Sequence, residues 1–163
     1  MEMDKELLDA LNIQLNREFH SAYFYLAMAA YFERENLKGF AKWMRAQAKE
    51  EADHAMKFFD FINERNETVV LKPIEVPKQT WSSPLEVFKD AYEHEQKVSH
   101  YIHRLYELAQ EKRDYPTQVF LHWFITEQVE EEDQTLQIVE LLEKAGDNFA
   151  AILELDEQLG SRE

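Results

Sequence analysis

A single offset relates three pairs of side chains that are able to bind a metal ion. The pairs are Glu18 with Glu95, Glu51 with Gln128, and His54 with Glu131, and the two members of each pair are 77 positions apart. One offset of nearly half the chain indicates that a unit of two structural elements is used twice. We therefore expect two similar halves that face each other across a pseudo-twofold axis and bring the six side chains together.

Glycine and proline are scarce, which predicts long helices. The chain has three glycines and four prolines, and all lie at the edges of long periodic stretches or in the connections between them. We predict four long helices and a short fifth helix, over residues 4–35, 38–65, 84–112, 116–145 and 148–159. Ser83, Pro84 and Glu86 predict a capping box at the start of the third helix, and Gly146 is suited to end the fourth.

The lengths of the connections predict how the helices are arranged. Short turns join the first helix to the second and the third to the fourth, so each pair should form an antiparallel hairpin. Residues 66–83 are long enough to travel the length of a bundle, at about 3.3 Å per residue, and we expect an extended, ordered strand there. The predicted fold is all-α. It is a four-helix bundle of two antiparallel hairpins joined by a long crossover, with a short fifth helix, in a single domain over residues 1–163.

Each long helix carries a seam of residues at spacings of three and four, the pattern that faces a bundle core. On the first helix the seam is Leu11, Leu15, Glu18, Ala22, Tyr25, Ala29 and Phe32. All six repeated side chains fall on such seams, at similar distances from the turns of their hairpins. They should therefore meet near the middle of the bundle.

Four of the converging side chains are carboxylates, which predicts a bound cation. Moving Glu18, Glu51, Glu95 and Glu131 into an apolar interior costs on the order of several kcal/mol each, and no lysine or arginine lies on the seams. Two divalent cations would balance the four charges, so we expect a dinuclear metal site. Carboxylates with one imidazole suit iron(II) or manganese better than structural zinc, and iron is the redox-active choice.

Composition excludes several classes of function. With 33 acidic and 18 basic residues the net charge is −15, which repels phosphate backbones and attracts cations, so nucleic acid is not an expected partner. The chain has no cysteine, which excludes disulfides, iron–sulfur clusters and thiolate metal sites. No apolar run is long enough to span a membrane, and the N-terminus lacks the pattern of an export signal. We expect a cytoplasmic protein.

Simpler interpretations exist for individual residues. Glu51 and His54 taken alone are a pair of a kind found on many solvated helix faces, and only the shared offset on four seams favours a metal site. Tyr25 is either a core residue whose hydroxyl is bonded elsewhere or a partner for a site carboxylate. Glu127 and Glu130 belong either to a solvated acidic face or to a weaker cation site beside the first.

Four motifs resemble those of the prokaryotic non-haem ferritins in order and spacing. They are Asn16-Arg17-Glu18, Glu50-Glu51-Ala52-Asp53-His54, Tyr92-Glu93-His94-Glu95 and Glu127-Gln128-Val129-Glu130-Glu131. The resemblance covers essentially the whole chain, including the crossover and the fifth helix. It implies a ferritin-like bundle with two irons in each subunit. One iron would be held by Glu18, Glu51 and His54, and Glu51 would bridge to a second held by Glu95, with Gln128 and Glu131 nearby.

The resemblance also implies roles for residues around this pair of irons. Tyr25 matches a tyrosine that hydrogen-bonds a site carboxylate. Glu50, Glu127 and Glu130, together with Glu131, match a third iron site. Ala52 stands where bacterioferritins carry a haem-binding methionine, so no haem is expected.

By this resemblance the protein is an iron storage protein with ferroxidase activity. It would oxidise iron(II) with dioxygen or hydrogen peroxide and keep ferric mineral inside a cage of twenty-four identical subunits. Phe149, Ile152, Leu153 and Leu159 of the fifth helix have no place in a complete four-helix bundle, and we expect them to pack against other subunits. Two alternatives stay open: a structural, metal-binding helical bundle without redox chemistry, and a di-metal oxygenase, which would need an open pocket beside the metals.

Overall fold

Five α-helices make up the regular structure of residues 2–162, the part of the chain that the computed structural model describes. They are α1 (Lys5–Arg34), α2 (Lys38–Glu64), α3 (Pro84–Glu111), α4 (Tyr115–Ala145) and α5 (Phe149–Leu159). The all-α prediction is confirmed, and each helix begins and ends within one residue of its predicted bounds.

The four long helices form two antiparallel hairpins, as predicted. The most extensive packing is between α1 and α2 and between α3 and α4. Ring contacts between α1 and α3 run in opposite chain order, from Phe24 with His94 to Phe32 with Phe88. Because α1 is antiparallel to both α2 and α3, α2 and α3 are parallel, and the long crossover between them makes this possible.

The crossover is extended, but it is not a β-strand, so that part of the prediction is wrong. The side chains of two asparagines of α1 form hydrogen bonds with the backbone of the crossover, in the way that a neighbouring strand would. Asn12 donates to the carbonyl of Thr68 at 3.0 Å and accepts from the amide of Val70 at 2.8 Å. Asn16 donates to the carbonyl of Val70 and accepts from the amide of Lys72, both at 2.8 Å. Side-chain amides thus satisfy backbone groups that would otherwise need a second strand.

The start of α3 differs from the predicted capping box. Ser83 is the N-cap and its hydroxyl accepts from the amide of Glu86 at 3.2 Å, as expected. The Glu86 carboxylate, however, accepts from the backbone amide and the hydroxyl of Ser82 rather than from the amide of Ser83. At the end of α4, Gly146 has φ 55°, a conformation that favours glycine.

Two apolar clusters fill the bundle, one on each side of a polar layer. One surrounds Phe32, Phe40 and Phe88, and the other surrounds Phe58 and Phe124. Between them lie buried polar residues of the four seams, among them Glu18, Gln47, Glu51, His54, Glu95, Gln128 and Glu131. On the predicted α1 seam Ala22 is only half-buried, because the helix turns Ser21 inward instead.

The fifth helix packs on its own bundle, which corrects part of its expected role. Ile152 and Leu159 lie against the apolar cluster around Phe32, whereas Phe149 and Leu153 are exposed. The side chain of Asp156 accepts a hydrogen bond from the amide of Phe40, at the start of α2, at 2.8 Å. An apolar surface therefore remains on α5, but it is smaller than expected.

No helix within residues 2–162 is both long enough and apolar enough to cross a bilayer.

Candidate metal centre

The polar layer brings together the buried carboxylates and the histidine that the sequence repeat singled out. α1 supplies Glu18, α2 supplies Glu51 and His54, α3 supplies Glu95, and α4 supplies Glu131. Each of these residues is at most 4% exposed. Their ligand atoms form two groups that share Glu51, within each of which all atoms lie within 4.8 Å of one another. One group is Glu18, Glu51 and His54, and the other is Glu51, Glu95 and Glu131.

The first group is held by a single imidazole between two carboxylates. Nδ1 of His54 lies 3.3 Å from Oε2 of Glu51 and 3.9 Å from Oε2 of Glu18. His54 is one turn after Glu51 on α2, so the two side chains leave the same face of the helix. The amide of Gln14 donates to Oε1 of Glu18 at 3.1 Å and leaves Oε2 free to face the imidazole.

The second group is oriented by neutral donors. The hydroxyl of Tyr25 donates to Oε1 of Glu95 at 2.5 Å. The amide of Gln128 donates to Oε2 of Glu95 at 3.2 Å and also to the Glu95 carbonyl and the Ser99 hydroxyl, both at 3.1 Å. The amide nitrogen of Gln128 therefore points toward α3.

Gln47 joins the two groups. Its amide nitrogen donates to Oε1 of Glu51 at 3.0 Å and to Oε2 of Glu131 at 2.6 Å. Both hydrogens of the amide are used in this way, so one side chain fixes the orientation of carboxylates on two different helices.

Burial and crowding make these carboxylates poor places for negative charge in the absence of a cation. Burial, with repulsion from Glu51, raises the pKa of Glu18 well above its ordinary value. Burial raises the pKa of Glu95 to about 7 despite the hydrogen bonds from Tyr25 and Gln128. Burial, with repulsion from Glu95 and Glu51, raises the pKa of Glu131 to about 10.

The pKa of the histidine is raised by its neighbours, against the effect of burial. Burial disfavours the charged imidazole of His54, but the hydrogen bond and the charge of Glu51 outweigh burial and raise its pKa to about 9. Without metal, the site therefore holds protons at neutral pH, and a divalent cation would have to displace them.

The residues fit a cation chemically. Oε2 of Glu18 is buried and accepts no hydrogen bond, although a buried carboxylate oxygen ordinarily has a partner. It faces the imidazole nitrogen and the second carboxylate that a metal ion would use. The oxygen and nitrogen donors suit iron(II) and manganese, and four carboxylates balance two divalent ions.

The structure brings only part of the expected third site together. Glu127 joins His54 and Glu131 in a third group of ligand atoms that lie within 4.8 Å of one another. Glu50 instead forms an ion pair with Arg162, and Glu130 is exposed; neither belongs to a group of metal-capable atoms among the described residues.

Some of the residues that orient the ligands were not predicted from the sequence. Gln14 and Gln47 each lie four residues before a site glutamate, Glu18 and Glu51, and so share its helix face. That spacing is a signal that could have identified them. Ser99 receives a hydrogen bond from Gln128 and donates to Glu132 at 2.5 Å, and it lies four residues after Glu95, so the same spacing could have identified it.

Known proteins share both the sequence and the fold of this chain. The chain is 42% identical to the bacterial non-heme ferritin of Staphylococcus epidermidis over 160 residues, which cover 98% of this chain and 96% of that protein. It is 41% identical to the protein of the same name from Staphylococcus aureus over the same lengths.

Solved structures show the same relationship. An open pore ferritin from the hyperthermophilic archaeon Archaeoglobus fulgidus superimposes with a TM-score of 0.99 at 47% identity, over 99% of this chain and 100% of that one. A closed form of the same archaeal ferritin, engineered by site-directed mutagenesis, gives a TM-score of 0.98 at 48% identity, over 99% of each chain. The family model described as the ferritin-like domain matches residues 8–145, which span all four long helices from the second turn of α1 to the end of α4. The chain belongs to the ferritin family.

Proposed function

We propose that this protein oxidises iron(II) at the dinuclear site and stores the product as ferric mineral. The single observation that carries the proposal is that two groups of buried ligand atoms share Glu51. A carboxylate with two oxygens, common to both groups, is suited to bridge two metal ions. Bridged ions lie close enough to give up electrons to the same oxidant.

Iron(II) is the substrate in this proposal. Glu18, Glu51 and His54 bind one ion, and Glu51, Glu95 and Glu131 bind the other. Two iron(II) ions supply the electrons that reduce dioxygen or hydrogen peroxide, and the iron leaves as iron(III). Binding displaces the protons that the carboxylates and the imidazole hold at neutral pH, so uptake of iron releases acid.

Other residues of the chain keep the ligands in place. Tyr25 donates to Glu95, and Gln47 donates to both Glu51 and Glu131, so neutral donors hold the carboxylates of three helices in place around the metal positions. Partners of this kind orient ligands and tune the metal they hold. Phe58 and Phe124 are almost fully buried beside the site, and this packing favours oxidation of iron over oxidation of an organic substrate.

Storage requires more than one chain. A single bundle encloses no volume for a mineral, and we propose that twenty-four copies form the shell, in the cytoplasm. The exposed Phe149 and Leu153 of α5 and the exposed Leu71 and Val76 of the crossover supply apolar surface for contacts between copies. Glu127, which lies in one group of ligand atoms with His54 and Glu131, would form a weaker third cation site.

Stopped-flow absorbance tests the proposal most simply. The iron-free protein is mixed with iron(II) and oxygen beside Glu51→Ala, and the product is then sized. We expect rapid oxidation by the wild type, a rate in the variant close to that of buffer alone, and a large particle that keeps its iron in solution.

Equal rates in the two proteins would overturn the proposal. If metal is bound without oxidation, the chain is a structural, metal-binding bundle instead. Glu140→Gln, at an exposed position of α4, is the matched control for loss of one carboxylate and should leave the oxidation rate unchanged.

A further inference from the structure

The residues that follow α5 return to α2 and place an arginine beside the metal centre. Nη2 of Arg162 donates to Oε1 of Gln47 at 2.9 Å and lies 3.1 Å from Oε2 of Glu50. Nη1 of the same guanidinium donates to the carbonyl of Trp43 at 3.2 Å, and the guanidinium lies 4.4 Å from the centre of the Trp43 ring. The Arg162 side chain is only 15% exposed.

The contact with Gln47 determines which way the Gln47 amide faces. Only its nitrogen can donate to Glu51 and Glu131, so its oxygen must point away from the carboxylates and needs a donor of its own. Gln47 is fully buried, so bulk water does not supply that donor. Arg162 supplies it.

We propose that Arg162 is a positioning residue for the metal centre and acts through Gln47. The guanidinium fixes the amide oxygen, and the amide nitrogen in turn holds one oxygen of Glu51 and one of Glu131. Without Arg162 the buried amide oxygen of Gln47 has no donor, so the amide can rotate in search of one and lose its hydrogen bonds to the two carboxylates. This inference rests on the proposed function, because it assigns a role at the same site.

The docking of α5 explains how the arginine reaches its place. Gly39, at the start of α2, lies so close to α5 that an added Cβ would be 1.7 Å from the carbonyl oxygen of Asp156. An added Cβ on Gly160 would lie 2.9 Å from the Cα of Gly39. The two glycines thus allow the backbones of α2 and α5 to touch, and the chain leaves α5 directly over α2. Arg162 follows two residues after Gly160.

The buried hydrogen bond to Gln47, rather than the ion pair with Glu50, should carry most of the effect. The side chain of Glu50 is 43% exposed, and ion pairs that reach solvent contribute little. The bond to Gln47 is charge-assisted and shielded from water, which makes it one of the stronger kinds of hydrogen bond.

Cobalt(II) binding tests this role without depending on oxidation. The iron-free protein is titrated with cobalt(II), and the visible absorption of the bound ion reports both affinity and ligand geometry. Loss of a residue that orients metal ligands typically costs about 10–100-fold in affinity, and Arg162 acts one contact further out. We therefore expect Arg162→Ala to weaken cobalt(II) binding by about 3–10-fold and to alter the absorption spectrum.

Three further variants distinguish a positioning role of Arg162 from simple packing of the residues that follow α5. Arg162→Lys keeps the charge and one donor nitrogen, and should recover part of the affinity for cobalt(II). Arg45→Ala removes the same charge from an exposed position of α2 and should change nothing. In a Gln47→Leu background, Arg162→Ala should have no further effect on affinity or spectrum, because the residue through which it acts is gone.

The outcomes are distinct. If the wild type binds cobalt(II) and Arg162→Ala binds it equally well with the same spectrum, the positioning role is wrong and the proposed function stands. A loss that persists in full in the Gln47→Leu background would mean that Arg162 acts only by holding α5, which also overturns the inference. If wild type and Glu51→Ala bind cobalt(II) alike, both the inference and the proposed function fail.

Discussion

Replacing Glu131 with glutamine should stabilise the metal-free protein while weakening its hold on metal. Glu131 is 2% exposed and lies with Glu51 and Glu95 in one group of ligand atoms. Burial and the repulsion of these neighbours raise its pKa to about 10, so the metal-free fold keeps a proton on it at neutral pH. Glutamine has nearly the same shape, is neutral without taking up a proton, and can still accept the hydrogen bond from Gln47.

The magnitude follows from the difference in protonation between the folded and unfolded chains. The unfolded carboxyl has its ordinary pKa of 4.5, so between pH 4.5 and about 10 the folded chain binds a proton that the unfolded chain has lost. Wild-type stability therefore falls as pH rises through this window, by about 1.4 kcal/mol per pH unit for this group. At pH 7 the free energy of unfolding of the variant should exceed that of the wild type by up to about 3 kcal/mol, and at pH 4.5 the two should be almost equal.

Chemical denaturation in the presence of a chelator measures this directly. Wild type, Glu131→Gln and the exposed control Glu140→Gln are unfolded at pH 5, 6, 7 and 8, after sizing shows equal assemblies. We expect the advantage of Glu131→Gln to grow with pH, and the control to follow the wild type. Adding a divalent cation should reverse the order, because wild type gains more from binding.

The reasoning is refuted if Glu131→Gln is no more stable than wild type at pH 8. It is also refuted if the difference between them is the same at pH 5 and pH 8, because the effect would then not arise from a proton.

Three further changes test other parts of the structure. Tyr25→Phe removes a donor that lowers the pKa of Glu95, so the acidic limb of the pH–rate profile for iron(II) oxidation should move to higher pH; an unmoved profile would show that the hydroxyl is only packing. Asp114→Ala removes both the N-cap of α4 and a two-bond ion pair with Arg65, and should lower the free energy of unfolding by about 2–4 kcal/mol. Asp114→Asn keeps a capping oxygen, so its free energy of unfolding should be about 1 kcal/mol higher than that of Asp114→Ala. Gly39→Ala should detach α5, because the new Cβ would meet the Asp156 carbonyl at 1.7 Å; amide hydrogen exchange should rise across α5 but not in α3, and unchanged protection of α5 would contradict the close packing.

The arrangement of the helices was predictable because it depends on spacing alone. Residues three and four apart share a helix face, so Glu18, Glu51, Glu95 and Glu131 had to lie on the seams and therefore in the core. The same reasoning failed at Ala22, where a choice between adjacent positions depends on how far the helix is rotated in the bundle. The predicted capping box failed in part at Glu86, whose carboxylate accepts from the amide and the hydroxyl of Ser82 instead of the amide of Ser83.

The parts that the sequence did not reveal depend on contacts between distant segments. Asn12 and Asn16 are ordinary helix-surface residues until the crossover lies beside them and needs donors and acceptors. Arg162 acquires its place only through the contact of Gly39 with α5, which no local pattern encodes. Gln47 lies between these cases: it is four residues before Glu51 and so shares the buried face of α2, but this spacing does not reveal which atoms of its amide face the carboxylates.

An anaerobic calorimetric titration of the iron-free protein with iron(II) tests the proposed dinuclear site most directly, with wild type beside Glu51→Ala. We expect two tightly bound ions per chain in the wild type. Because Glu51 belongs to both groups of ligand atoms, its loss should weaken both sites together. A wild type that binds one ion or none, or a variant that loses one site and keeps the other at full affinity, would contradict a metal pair bridged by Glu51.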